Sequence, residues 1–415
     1  MAHLDTSLQP SEPSSTMDAK TGYVDSAPTL AIFANVMTPY RANLHRLLAA
    51  GIPQLQLHSL ITHGVGDFDW SVSAPAEIHV QNFSVRGEHP QDNPLRRPAS
   101  EWTKASELIR FLKTHNVKAA IFCAYRYLSY LRVMDYCYRN NIPFWVNLDS
   151  NIRSEPNLSA LQSLIKRRLY RWWLARASGV LSMGTLGDQF FLKYGADPQK
   201  IYRVPYWPDF DAFADCDEVA LARLQGKFGL SKDRRYLMFS GRLVPEKRVD
   251  LLIDAFVRVA AERPDWDLLI VGDGHLRDSL RARVPENLQH RVIWTGFLEG
   301  KDNVLAFHAA DVLVLPSDQE PWALVIQEAM AAGLVVVASN IVGAAYELVD
   351  DHRSGRIFPA GDVEQLSQAI RDMTDPAAFA GYQQRSQEAI VQYRERVNPV
   401  SEIRRALSNA GVVPG

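Results

Sequence analysis

The sequence is poor in cysteine. Three occur in 415 residues, Cys123, Cys137 and Cys216, and no two form a CxxC pair. An odd count without that spacing argues against a disulfide framework and against a structural zinc site, and it fits a reducing, cytoplasmic setting. Long apolar runs are lacking too. No uncharged stretch approaches the ~18 residues of a membrane-spanning helix. The first 28 residues are rich in Ser, Pro, Asp and Thr and have no apolar signal-peptide region, so they read as a disordered tail. Excess charge is also missing. Lys and Arg number 45 against 47 Asp and Glu, a net charge of −2, so the overall field indicates no nucleic-acid partner. Any affinity for phosphate must come from a local site.

What the sequence does have is alternation. Its apolar fraction of 47% and charged fraction of 22% are ordinary for a globular protein. One hydrophobic core stops growing near roughly 250–300 residues, so two domains are expected. "TLAIFANV", "LQLHSLIT", "AAIFCA", "IPFWVNL", "SGVLSMG" and "IYRVPYW" are short strand-like runs separated by helical patterns. A second series, "YLMFSG", "DLLIVGD", "VIWTGF", "DVLVLPS" and "LVVVAS", alternates in the same way. Strand alternating with helix means βαβ units, an α/β fold with parallel sheets. The expected layout is a tail over 1–28, a Rossmann-like domain over 29–207 and a linker with one helix over 208–235. A second Rossmann-like domain follows over 236–380, then a helical segment over 381–415.

Ligands of open α/β sheets bind at the carboxyl ends of strands. Three segments there bear chemistry. In "FSGRLVPEKRVD", Gly241 permits close backbone approach, Arg242 offers a planar fork for phosphate oxygens and Lys247 a mobile charge. Two cations beside a helix start suit a diphosphate; the rival reading is a solvated basic loop. In "VGDGHLRDSL", Arg277 stands where a dinucleotide fingerprint needs its third glycine, so an NAD site is poorly supported.

In "QEPWALVIQEAM", Pro321 fits a first helical position, with Glu320 just before the helix and Glu328 eight residues on. At a rise of about 1.5 Å per residue the carboxylates lie roughly 12 Å apart, about the reach from a hexose across a diphosphate to a ribose. The rival reading is a helix-end charge plus a surface glutamate. Cations for a diphosphate and carboxylates for hydroxyl-rich groups together imply a nucleotide-sugar ligand.

Three DxD triplets, Asp67–Asp69, Asp209–Asp211 and Asp265–Asp267, read as surface or turn residues and not as metal ligands. "IKRRLYRWWLARA", Ile165 to Ala177, mixes cations with aromatics, a composition suited to an ordinary half-buried helix or to peripheral contact with an anionic membrane.

Beyond the residues themselves lies a resemblance. Glu320 to Glu328 is similar to the E-x7-E motif of retaining GT-B glycosyltransferases, and "SGRLVPEKRVD" resembles the GRL-x-x-x-K segment of glycosyltransferase family 4. "PSDQEPWALVIQEAMAAGLVVVAS" and "VGAAYELVDDHRSGRIFPAGD" resemble the segments around and after the motif. The likeness runs over Tyr236 to Met373 and is weaker over Thr29 to Trp207. It implies two Rossmann-like domains facing across a cleft, acceptor bound by the first and donor by the second. The terminal segment would pack back on the first domain. It also implies metal- and cofactor-independent transfer of a hexose from a nucleoside diphosphate to a glycan or lipid-linked acceptor, with retention of configuration. Arg242 and Lys247 would hold the diphosphate, Glu320 the hexose and Glu328 the ribose, with Gly343 near sugar or phosphate. Three departures stand out. Trp322-Ala323 replaces the common Phe-Gly, "NVMTPYRAN" lacks the glycines often found after the first strand, and Asp149 occupies the place of a common histidine. Other readings of the same residues are a nucleotide-sugar epimerase and a non-enzymatic sugar sensor. The latter would not need Arg242 or Lys247.

Overall fold

A computed structural model describes residues 28–63, 78–84, 97–155, 158–349 and 354–414. The expected tail, apart from Pro28, and the Asp67–Asp69 triplet lie outside them.

The first unit contains β1 (Thr29–Ala34), α1 (Pro39–Gly51), β2 (Gln56–Ile61), β3 (His79–Asn82), α2 (Pro98–Thr114), β4 (Val117–Phe122) and α3 (Leu128–Arg139). It continues with β5 (Phe144–Asn147), α4 (Ala160–Leu174), β6 (Gly179–Ser182), α5 (Thr185–Lys193) and β7 (Ile201–Arg203). The second contains α6 (Phe210–Ala214), α7 (Glu218–Phe228), β8 (Arg235–Ser240), α8 (Val249–Val259), β9 (Trp266–Val271), α9 (Arg277–Arg283) and β10 (Val292–Gly296). It ends with α10 (Gly300–His308), β11 (Val312–Leu315), α11 (Leu324–Ala331), β12 (Val335–Ser339), α12 (Gly343–Leu348), β13 (Gly355–Phe358), α13 (Val363–Met373) and α14 (Phe379–Arg396). A last helix, α15 (Pro399–Asn409), follows.

The strands form two parallel sheets, ordered β3-β2-β1-β4-β5-β6-β7 and β10-β9-β8-β11-β12-β13. β1 shows why both faces are covered. Leu30 and Ile32 enter one core with Leu48 and Leu407, while Ala31 and Phe33 enter another with Phe122 and Tyr130. Strand order reverses at β1 in the first sheet and at β8 in the second. The loops after these two strands therefore sit at the switch points where α/β sheets bind ligands.

The region 208–235 differs from the expected linker. It holds two helices, not one, and Phe210, Phe213, Leu221 and Leu224 are buried in the second core. Its polar appearance came from the outward faces of two short amphipathic helices. α14 also packs on the second core through Ala389, Ile390 and Tyr393, whereas α15 packs on the first through Ile403, Ala406 and Leu407. The chain thus passes between the units twice, after β7 and between α14 and α15. The passages touch: Trp207 stacks on Tyr393 at 6.2 Å, and Arg394 pairs with Asp211 at 3.0 Å.

α4 is the half-buried helix expected, with its aromatic side inward: Tyr170 and Trp173 are buried, and Lys166 pairs with Glu155 at 2.6 Å. The outward face lies nearer the helix start, where Leu161, Leu164 and Ile165 are 67%, 50% and 59% exposed. Arg167, Arg168 and Arg171 are exposed as well, and the helix contains no acidic residue.

Candidate functional site

The loop after β8 carries Gly241 and Arg242. Its close neighbour is the loop after β9, and glycine makes the approach possible. A Cβ at Gly272 would stand 1.9 Å from the Gly241 carbonyl, and one at Gly274 would stand 2.4 Å from that of Leu243. The glycines of "VGDGHLRDSL" therefore let this loop support the first from behind. Lys247 ends a short 3-10 turn over Pro245–Lys247. Its ammonium pairs with the Glu320 carboxylate, with side-chain exposures of 18% and 13%. Arg248 to Asp318 at 2.7 Å and the Asp318 N–H to Glu246 carbonyl bond at 2.9 Å fasten the same two loops.

The segment after β11 corrects the expected helix start. α11 begins at Leu324, and Ala323 before it is left-handed, with φ 73°. Pro321 is therefore not a first helical position, and Glu320 belongs to an irregular loop. The roughly 12 Å separation inferred from helical rise does not apply across it. What holds the loop is Trp322, which is buried and donates its indole N–H to Gln327 Oε1 at 2.9 Å. Gly343, at the start of α12, is equally close: a Cβ there would meet the Pro321 carbonyl at 2.2 Å.

Glu328 lies in the second turn of α11 and reaches a cavity of about 1100 Å³ between the two sheets. Gly241 and Arg242 line the same cavity, as do Thr38 and Tyr40 from the loop after β1. Burial pushes the Glu328 carboxyl up to about 7. The structure thus brings Gly241, Arg242 and Glu328 into one wall, and Lys247, Glu320 and Gly343 into an adjoining cluster of loops.

The first unit meets that cluster directly. Asn151 donates to the carbonyls of Pro321 at 3.3 Å and Ile341 at 2.9 Å, and Arg153 donates to Asn340 O at 2.9 Å. Glu347 of α12 accepts the Thr185 N–H of α5 at 2.6 Å. Asp149, two residues before Asn151, is exposed and accepts from the Tyr206 hydroxyl at 3.2 Å. Sequence reasoning missed Asn151 and Glu347, whose role depends on contacts more than 150 residues away. It also passed over Thr38, although Thr-Pro before an amphipathic stretch is a helix-start signal.

The remaining aspartate triplets have structural duties. Asp209 caps α6, Asp211 pairs with Arg394, and Asp267 is buried between Arg234 and Arg291.

Residues 222–388 match the family described as glycosyl transferases group 1. That stretch holds Gly241, Arg242, Lys247, Glu320, Glu328 and Gly343. Over 128 residues the chain is 36% identical to an uncharacterized glycosyltransferase of Methanocaldococcus jannaschii, covering 31% of this chain and 32% of that protein. Over 194 residues it is 29% identical to a GDP-mannose-dependent monoacylated alpha-(1-6)-phosphatidylinositol monomannoside mannosyltransferase of Corynebacterium glutamicum, covering 45% and 50%. The matches thus span about a third to a half of these relatives' lengths. The crystal structure of Anabaena HepE in complex with UDP and glucose superposes with a TM-score of 0.69 at 17% identity, covering 93% of this chain and 100% of that one. The fold is the GT-B fold, two Rossmann-like domains facing across a cleft.

Proposed function

We propose that this protein is a glycosyltransferase that moves a hexose from a nucleoside diphosphate sugar to a glycan or lipid-linked acceptor, with retention of configuration and without a metal. The observation that carries the reading is the shared cavity. A guanidinium and a carboxylate, Arg242 and Glu328, line one space of about 1100 Å³ at the β8 switch point. Small-molecule sites measure roughly 300–1,000 Å³, so the space suits a ligand as large as a sugar nucleotide.

In this reading Glu328 accepts the ribose hydroxyls, and the Gly241 backbone and Arg242 hold the diphosphate. Lys247 and Glu320 then meet where the sugar–phosphate bond breaks. The ammonium stabilises charge developing on the leaving phosphate, and the carboxylate orients the hexose beside it. Gly343 lets the Glu320 loop sit against α12, within reach of sugar or phosphate. The first domain supplies the acceptor side. Its α4 face, three aliphatic side chains ringed by arginines, suits an anionic membrane that presents a lipid-linked acceptor. The matched relative that acts on a phosphatidylinositol mannoside makes this acceptor class a natural one to test.

The test is transfer from a panel of UDP- and GDP-hexoses to lipid-linked and soluble acceptors, in excess chelator, with the anomeric configuration read by NMR. A transferred product with the donor's configuration is expected. An epimerised donor without transfer, or absolute dependence on added metal, overturns the reading. Binding assays assign the two glutamates. Glu328→Ala should weaken the bare nucleoside diphosphate roughly ten- to a hundredfold. Glu320→Ala should leave that binding nearly unchanged and reduce transfer.

A further inference from the structure

The loop that carries Glu320 is irregular, so its shape has to come from its neighbours. Three consecutive carbonyls show how. Glu320 O accepts the Gly343 N–H at 3.4 Å, and Trp322 O accepts the Ala344 N–H at 2.8 Å, both from the start of α12 in the same domain. The carbonyl between them, that of Pro321, is held from the first domain, by Asn151 Nδ2 at 3.3 Å. The same amide reaches the Ile341 carbonyl at 2.9 Å, so it joins the loops after β11 and β12.

Asn151 is well placed for this. It is 3% exposed, and its Oδ1 accepts the Arg153 N–H at 2.7 Å, which turns Nδ2 toward the two carbonyls. The next residue, Ile152, donates its N–H to Leu186 O of α5 at 3.2 Å. α5 meets the same loop. A Cβ at Gly184, its N-cap, would stand 3.0 Å from the Trp322 ring and 2.9 Å from Glu347 Oε1, so glycine lets the first domain sit against the loop. The loop needs the support. Ala323 is left-handed, with φ 73°, and a strained residue keeps its conformation only where its surroundings fix it. Glu328 is different, since it stands on a regular helix of the second domain.

We infer that Asn151 is a positioning residue: from the first domain it fixes the backbone beside Glu320 and so sets that carboxylate for the hexose. The inference rests on the role proposed for Glu320. It divides the site in two. The nucleoside end at Glu328 is built by the second domain, whereas the hexose end is finished by the first.

The test uses the full chain, the UDP- or GDP-hexose that gives transfer, and calorimetry with the matching bare diphosphate. Asn151→Asp has the same shape and keeps the acceptor for Arg153, but it turns an oxygen instead of an N–H toward two carbonyls. It should lower kcat roughly ten- to a hundredfold and leave the donor KM and the diphosphate affinity unchanged. Added to Glu320→Ala it should cost almost nothing further, because a residue that acts through Glu320 then has nothing to position. Gly184→Val, whose added atoms would meet Trp322 and Glu347, wedges the same contact apart and should also lower kcat alone; it carries the test if Asn151→Asp does not fold. Wild-type kcat in folded Asn151→Asp or Gly184→Val, beside an impaired Glu320→Ala, overturns the inference and leaves the role of Glu320 standing. An equal loss of kcat and diphosphate affinity overturns it as well, as do Asn151→Asp and Glu320→Ala effects that simply multiply. A wild-type rate in Glu320→Ala, or no transfer by the wild type from any donor, overturns both.

Discussion

Replacing Glu328 with glutamine should stabilise the protein at alkaline pH and weaken its hold on nucleotide. The stability effect follows from burial. The Glu328 carboxyl titrates at about 7 in the fold, against 4.5 for an ordinary glutamate. Below about pH 4.5 the group is protonated in both folded and unfolded chains and costs nothing. Between that pH and about 7 the unfolded chain gives up the proton while the folded chain keeps it, so stability falls across this window. Each pH unit is worth about 1.4 kcal/mol, so above about pH 7 the ionised carboxylate costs the fold about 3 kcal/mol. Glutamine has the same shape and cannot ionise. Its buried amide brings a cost of its own, about 1–3 kcal/mol, but that cost does not vary with pH. The quantity to measure is therefore the difference between two differences. Urea unfolding at pH 4 and pH 8, followed by tryptophan fluorescence, gives the Glu328→Gln effect at each pH. The effect at pH 8 should be more stabilising than the effect at pH 4 by about 3 kcal/mol. Equal effects at the two pH values would refute the argument, because the carboxyl would then be as well solvated in the fold as outside it.

Three further outcomes are expected. Arg242→Ala and Lys247→Ala should each reduce turnover about a hundredfold, by removing the cations that the proposed reading assigns to the leaving diphosphate; a folded double variant with near-normal transfer would place the phosphates elsewhere. Ala323→Gly should raise unfolding stability by about 1 kcal/mol, since a left-handed position strains alanine and not glycine; denaturant unfolding with no gain would remove the strain argument. Replacing Leu161, Leu164 and Ile165 together by serine should abolish co-sedimentation with vesicles containing anionic phosphatidylglycerol and leave transfer to a soluble acceptor intact. Unchanged sedimentation would exclude this face.

The parallel sheets were legible because strands buried on both faces read as unbroken apolar runs, as Leu30 to Ala34 does. β3 was not, since its residues His79, Val80 and Asn82 are exposed and make no such run. The motif residues were legible as chemical types at fixed spacing, but their partners were not. Nothing in the spacing of Lys247 and Glu320 says that they pair, because both loops are irregular. The start of α11 was misplaced because Pro321 is a helix-start signal that the buried Trp322–Gln327 bond overrides. Glu347 and Asn151 were invisible for a different reason, since each acts on the backbone of the opposite domain.

The double passage of the chain limits how the cleft can breathe. One linker between two domains permits swinging and twisting in all directions. Here a second connection runs beside the first, and Trp207, Asp211, Tyr393 and Arg394 bind the two together. Two connections side by side restrict the relative twisting of the units more than one linker would, and they hinder opening and closing least. A substrate then need not search for a productive arrangement of the two halves. Severing the chain between α14 and α15 would free the domains to wander, and the penalty would fall on every ligand that must touch both.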